Sequence, residues 1–248
     1  MNKSMKITVA ALSGLLMLGS MNVASEAAPD TSGSTAAAVS KVEQLEKEET
    51  ARINKLLEEN PDDSYMVYVS NELTKGKRLE TFAMGNTHPE YNTYEDYWKK
   101  ASTLKEPVLK QPKNLPENYR FVSGKIVGPY SSEYHNEMEA EAKKLKKQVH
   151  SKKVNWTKSN MILLHYKNGT HYIKFQSARL DPKDKKQKGY TYITAEELKK
   201  KYPKLGKKFI TNTLSWIENG KSFSISTNPG NPLKEEDLIK MAKTVVKK

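Results

Sequence analysis

Thr211–Lys248 reads TNTLSWIENGKSFSISTNPGNPLKEEDLIKMAKTVVKK, and the reading of this stretch decides the fold. Asn219-Gly220 sits between two runs of alternating polarity, the composition of a type I′ turn in which both central residues need positive φ. Such a turn pairs Glu218 with Lys221, Ile217 with Ser222, Trp216 with Phe223 and Leu214 with Ile225. Leu214, Trp216, Phe223 and Ile225 then share one face, because side chains alternate along a strand, while Thr213, Ser215, Ser222 and Ser224 mostly fill the other. The segment that follows supplies a cover: Leu238, Ile239, Met241, Ala242, Val245 and Val246 make a broad helical stripe between lysines. The fold class this predicts is α+β, a twisted antiparallel sheet of Asn-Gly hairpins with helices packed on one face.

The same logic recurs upstream. Around Asn168-Gly169 the expected pairs are Tyr166 with His171, Leu164 with Ile173 and Ile162 with Phe175 on one face, and His165 with Tyr172 on the other. Two such hairpins favour a meandering antiparallel sheet over a parallel one. Between them, Asp181–Gly189 reads as a lysine-rich loop and Tyr190–Ile193 as a short strand. Thr194 is an N-cap for a helix over Ala195–Lys201, with Glu197 at the third position completing a capping box. Ser131–Val149 carries Tyr134, Met138, Ala142, Leu145 and Val149 at helical spacing, which predicts an amphipathic helix with Lys143, Lys144, Lys146 and Lys147 outward. Arg120–Val127 and Tyr65–Val69 are strand candidates; Asn71–Trp98 is turn-rich, and Trp98–Lys113 is a short helical or irregular lead-in that ends at Pro107 and Pro112. Lys41–Glu59 reads as an acidic helix with Val42, Leu45, Ile53, Leu56 and Leu57 on a narrow stripe.

The chain has 248 residues, a formal net charge of +13 and no cysteine, and its mean hydropathy is −0.77. The absence of cysteine excludes disulfides, thiolate metal sites and cysteine nucleophiles. Residues 1–27 have the pattern of a secretory signal peptide: Lys3 and Lys6 precede an apolar run from Ile7 to about Gly19, and small residues lead to cleavage after Ala27. That run falls short of the roughly 20 residues a membrane-spanning helix needs. Residues 28–40 are small and polar, a flexible linker; 41–97 form an N-terminal helix–strand region and 98–248 a C-terminal α+β domain. Export of a basic, cysteine-free chain predicts a secreted protein of the Gram-positive cell envelope, extracytoplasmic and wall-associated.

Leu115-Pro116-Glu117-Asn118-Tyr119, with Leu214, Trp216, Asn219, Gly220 and Ile225, and then Glu236, Leu238, Ile239 and Ala242, resembles a bacterial family of unknown function. That family occurs as the C-terminal extracytoplasmic domain of anti-sigma-factor-like membrane proteins of Firmicutes and as free-standing secreted proteins. The resemblance covers roughly residues 98–248. Asn118 replaces the usual glycine, which an αL-tolerant asparagine does at small cost. Lys234 stands where a capping serine is typical, which shifts capping to Asn231 with Pro232 at the first helical position, or weakens it. The resemblance implies a fold, an extracellular setting and a link to envelope stress or sporulation signalling; it carries over no catalytic residue.

The residues themselves offer no catalytic motif, so no catalytic, cofactor-binding or metal-binding residue is assigned and no cofactor is expected. His88, His135, His150, His165 and His171 lack the spacing of a metal motif, and the expected hairpin register sends His165 and His171 to opposite faces. What remains is charge. Lys143, Lys144, Lys146, Lys147, Lys152, Lys153, Lys185, Lys186, Lys199 and Lys200 are the candidates for contact with an anionic surface. The partners this implies are an anionic cell-wall polymer, a membrane surface or an extracytoplasmic protein; nucleic acid is disfavoured by export and by charge supplied as lysine rather than arginine. The leading expectation is a non-enzymatic binding module; the alternative is a hydrolase or a lipid or peptide carrier using an unrecognised groove, and the tyrosines of 65–134 read first as filling a half-wet sheet face and second as lining such a groove.

Overall fold

The structure, a computed structural model, describes residues 36–70, 80–180 and 189–247. The expected signal segment 1–27, most of the expected linker 28–40 and most of the expected loop 181–189 lie outside them. In chain order the elements are α1 (Ala36–Glu59), β1 (Ser64–Val69), β2 (Thr81–Gly85), β3 (Glu90–Tyr91), α2 (Tyr94–Ala101), β4 (Val108–Leu109), β5 (Arg120–Val127), α3 (His135–Lys144), β6 (Val149–Lys153), β7 (Met161–Asn168), β8 (His171–Arg179), β9 (Thr191–Ile193), α4 (Ala195–Lys201), β10 (Asn212–Glu218), β11 (Lys221–Thr227), α5 (Glu235–Val245) and β12 (Val246–Lys247). The fold is α+β with antiparallel sheets. Contacts divide the described residues into two compact units, one drawn from 36–89 and 127–160 and the other from 90–126 and 161–247. This differs from the expected boundary between 97 and 98, because β6 pairs with β1 and carries residues 127–160 into the unit of the N-terminal strand.

The first unit is a three-stranded sheet in the order β2-β1-β6. Every residue of β1, SYMVYV, is buried. The reason is a helix on each face: Tyr65, Val67 and Val69 pack with Ile53, Leu56 and Leu57 of α1, and Met66 and Tyr68 pack with Met138 and Ala142 of α3. A strand covered on both sides has no face left for polar residues. The expectation of helices on one face therefore does not hold for this unit. The expected helix over Ser131–Val149 is also shorter: a 3-10 turn over Ser131–Tyr134 leads into α3, which stops at Lys144, and Val149 opens strand β6.

The second unit is a seven-stranded sheet in the order β3-β5-β7-β8-β11-β10-β9. In the terminal hairpin Glu218 pairs with Lys221, Trp216 with Phe223 and Leu214 with Ile225, around Asn219 and Gly220 at φ +50° and +74°. In the hairpin before it Asn168 pairs with His171, Tyr166 with Ile173, Leu164 with Phe175 and Ile162 with Ser177. Its central residues are Gly169 and Thr170, of which Gly169 alone has positive φ, +55°, so the register is displaced by two residues from the expected one. An even displacement leaves every side chain on its expected face.

The apolar face of this sheet buries Ile162, Leu164, Tyr166, Ile173, Phe175, Leu214, Trp216, Phe223 and Ile225, and Leu238, Met241, Ala242 and Val245 of α5 are buried with them. Helix α2 starts earlier than the sequence suggested, because Thr93 caps it by accepting a hydrogen bond from the Asp96 amide. The chain after α2 is tied to the chain after α5: β4 pairs with β12, and the Lys110 amide donates to the Val245 carbonyl at 2.7 Å. Helix α5 begins at Glu235 with Lys234 as N-cap, so the shift of the cap to Asn231 does not occur; the Asp237 carboxylate instead reaches back to accept from the Lys234 amide at 3.1 Å. Asn231 does other work. It accepts from the Tyr119 hydroxyl at 3.2 Å and from the Leu233 amide at 3.1 Å, and donates to the Tyr172 carbonyl at 3.0 Å, which fixes the loop before α5 to β8.

Candidate functional site

The opposite face of the seven-stranded sheet is polar and half-buried. Ser222, Ser224 and Ser226 of β11 alternate with its core residues, Gln176 lies across from Ser224 and Lys174 from Ser226, and His165 of β7 lies across from Lys174. The His165 ring meets the Tyr172 ring edge-on with centroids 6.0 Å apart, and its Nε2 is buried without a hydrogen-bond partner. Burial first, and then Lys174 and Lys167, push its pKa down to about 4. His171 is on the other face, with Nδ1 3.5 Å from Asn228 Nδ2, so the two histidines do not converge. Among the described residues no group of three or more His, Asp or Glu side chains is placed to hold a metal ion.

The depressed pKa has a consequence for stability. A histidine at about 4 in the folded chain and about 6.5 unfolded takes up its proton first in the unfolded state, so the contribution is full above pH 6.5 and is lost as pH falls toward 4. Replacing His165 with leucine is expected to flatten the pH dependence of unfolding across that window, measured by urea denaturation against wild type at matched pH. Identical slopes for the two proteins would place His165 in solvent.

The remaining histidines have local partners in the three-stranded unit. His135 Nδ1 lies 2.9 Å from Thr81 Oγ1 and His150 Nε2 lies 3.0 Å from Glu141. His88 Nδ1 is 2.7 Å from Thr87 Oγ1. Of the tyrosines in 65–134, Tyr65, Tyr68, Tyr97 and Tyr119 are buried; the Tyr97 hydroxyl donates to the Leu109 carbonyl at 2.6 Å, and burial holds its pKa well above the usual phenol range. A hollow of about 330 Å³ lies by the segment between α2 and β4, lined by Leu104, Glu106, Pro107, Val108 and Lys247 among others. It is at the small end of the roughly 300–1,000 Å³ of ligand pockets.

The lysines sort into two groups once their neighbours are known. Lys143, Lys144, Lys146, Lys147, Lys152 and Lys153 belong to the three-stranded unit. Three of them are neutralised there: Lys143 pairs with Glu139 at 2.7 Å, Lys152 bridges Glu137 and Glu141, and Lys153 pairs with Asp63 at 2.6 Å. Burial disfavours the Lys152 charge, but the hydrogen bonds to Glu137 and Glu141 outweigh it and hold its pKa above the usual range. Lys185 and Lys186 lie outside the described residues. Lys199 and Lys200 are in the last turn of α4, where cations complement the carbonyl end of a helix. They do not stand alone. Lys201, Lys204, Lys207 and Lys208 follow them, so that ten residues hold six lysines, all exposed.

None of these six makes an ion pair with a carboxylate among the described residues, although Lys200 draws the Glu197 carboxyl down electrostatically after that group's hydrogen bonds to Thr194. Two are set over rings, Lys201 over Tyr202 at 5.5 Å and Lys208 over Phe209 at 5.0 Å, contacts that orient an ammonium without neutralising it. The segment is held by the capping box of Thr194 and Glu197 and by the buried anchors Ala195 and Leu198. The lysine density of the run Lys199–Lys208 is legible in the sequence. No family model, no curated protein and no solved structure matches the chain. Among the described residues no helix is long and apolar enough to cross a membrane.

Proposed function

We propose that the protein is a non-enzymatic binding module of the cell envelope, which holds an anionic wall polymer against the lysines of 199–208. The observation that supports this reading is the contrast just described. Lysines 143, 152 and 153 are matched by carboxylates of their own unit, whereas the six exposed ammonium groups at 199–208 make no ion pair with a carboxylate among the described residues. Repulsion within such a cluster is relieved by a polyanion, and the attraction decays over the Debye length, about 8 Å at physiological salt. Extracytoplasmic placement rests on the signal-like residues 1–27, and a part in envelope stress or sporulation signalling rests on the family resemblance.

The test is retention of the mature chain on purified Gram-positive cell walls as salt is raised. Retention at low salt that falls steeply through a tenfold rise in ionic strength is the expected result, since each released counterion adds to the slope. Retention that is the same at both ends of the series would remove the electrostatic basis of the proposal.

A further inference from the structure

Leu145 belongs to the apolar stripe of the α3 sequence, yet it is not in the core. Its stripe neighbours Met138 and Ala142 are buried against Met66 and Tyr68, while Leu145 is 53% exposed, more than Tyr130, Tyr190 or Val122, the other large apolar side chains that stand out of the surface. It stands at the end of the helix, as the C-cap of α3 with φ −83° and ψ −3°. The Lys147 amide bonds the Ala142 carbonyl at 2.9 Å and the Lys146 amide bonds the Lys143 carbonyl at 3.1 Å, the paired bonds of a Schellman turn. That turn needs a left-handed residue, and Lys146 supplies it at φ +54°, where glycine is the unstrained choice. The turn thus ends α3 at Leu145 and holds the lysine after it in a conformation that residues with a Cβ rarely adopt.

The surroundings of Leu145 are cationic. Lys143, Lys144, Lys146 and Lys147 are all exposed. The carboxylates nearby are Glu139, bonded to Lys143, Glu80, which also acts electrostatically on Lys143, Glu141, bonded to His150 and Lys152, and Glu49, whose carboxyl is held down first by Arg52 and, in smaller part, by Lys147. Lys144 and Lys146 have no ion pair among the described residues. A single exposed leucine is ordinary on a protein surface; one at the tip of a fixed turn, ringed by ammonium groups, has the chemistry of an interfacial anchor. A protein partner of usual size would need about 800 Å² on each side, far more than one leucine presents. A bilayer interface accepts a single apolar side chain and adds a contribution from each lysine near its anionic headgroups.

We propose that the Lys143–Lys147 turn is a membrane-surface contact, with Leu145 entering the interfacial layer of an anionic bilayer and Lys144 and Lys146 meeting its headgroup phosphates. This goes beyond the wall-polymer reading and rests on the other unit of the chain. The test is flotation of the mature chain with phosphatidylcholine vesicles, with and without phosphatidylglycerol. Wild type is expected to float with the anionic vesicles only. Leu145→Ser is expected to lower the partition coefficient about fivefold and Leu145→Trp to raise it several-fold, and Lys144→Gln with Lys146→Gln to lower it about tenfold. All of these side chains are exposed, so the variants keep the fold, and the Leu145 variants keep wild-type retention on cell walls. Equal partition of wild type, Leu145→Ser and Leu145→Trp would overturn the proposal. So would binding indifferent to phosphatidylglycerol, or Leu145-dependent capture of an acidic protein with no vesicle binding. A failure of wall retention leaves these outcomes readable, because the vesicles contain no wall polymer.

Discussion

Gly85→Ala is expected to destabilise the three-stranded unit by about 3–4 kcal/mol. Gly85 ends β2 at φ +84°, and a Cβ built there would fall 2.3 Å from the Asp63 carbonyl oxygen and 2.6 Å from Leu57 Cδ2. The leucine methyl can rotate away, but the carbonyl cannot: it already accepts the Asn86 amide at 2.8 Å in the turn that starts β1. A left-handed conformation costs a residue with a Cβ about 1–2 kcal/mol, and forcing backbone apart in a packed region costs about 1–3 kcal/mol more. Hydrogen exchange read amide by amide is the suitable measurement, because it reports each unit separately. Protection in β1 is expected to drop while β8 keeps its own. Unchanged protection in β1 would mean that the Asp63–Asn86 turn is not packed as described.

The second large effect concerns a buried ion pair. Lys221 Nζ and Glu106 are 2.8 Å apart, with side chains 6% and 11% exposed. Burial pushes the Lys221 pKa down, opposed by its hydrogen bond from the ammonium to Glu106, and Arg179 across the strand adds a like charge. Lys221→Met leaves the Glu106 carboxylate in a poorly solvated site and is expected to cost about 3 kcal/mol. The double replacement Glu106→Leu with Lys221→Met removes both charges and is expected to recover most of that loss, since apolar replacements of buried pairs are often neutral. The comparison is made by urea denaturation of the single and double variants. Additive losses in the double variant would show that each side chain is held by something other than its partner.

What could be read from residues alone was the element whose turn chemistry and periodicity agree. Asn219 and Gly220 both take positive φ, which is what an Asn-Gly pair between alternating runs supplies, and the Trp216 face follows from that turn. The same dipeptide at Asn168-Gly169 misled the register, because Thr170 there takes the second central position and glycine alone needs the unusual φ. Strand β6 was hidden inside a lysine run: Val149–Lys153 has no apolar alternation, and only its pairing with β1 makes it a strand. The start of helix α2 was read late because eight residues rich in tyrosine and charge give little periodicity against a turn-rich background. For the site, the lysines were visible as composition, but their neutralisation was not. Lys153 is matched by Asp63 and Lys152 by Glu137 and Glu141, partners brought in by the fold from other elements. Leu145 fits its helical stripe in sequence but falls at the C-cap of α3, beyond the residues packed on Met66 and Tyr68, and the left-handed Lys146 that ends the helix there is a choice that propensity does not favour.

In the proposed function the lysines of 199–208 carry the polymer contact. Its most direct measurement is the affinity for purified cell walls of wild type and of the variant with Lys199, Lys200, Lys204 and Lys207 changed to glutamine. With up to about 1 kcal/mol from each lysine close to an anionic surface, the variant is expected to bind about 100-fold more weakly at physiological salt and to show a shallower salt dependence, with its circular dichroism unchanged. Wild-type affinity and an unchanged salt slope in the folded variant would contradict the account.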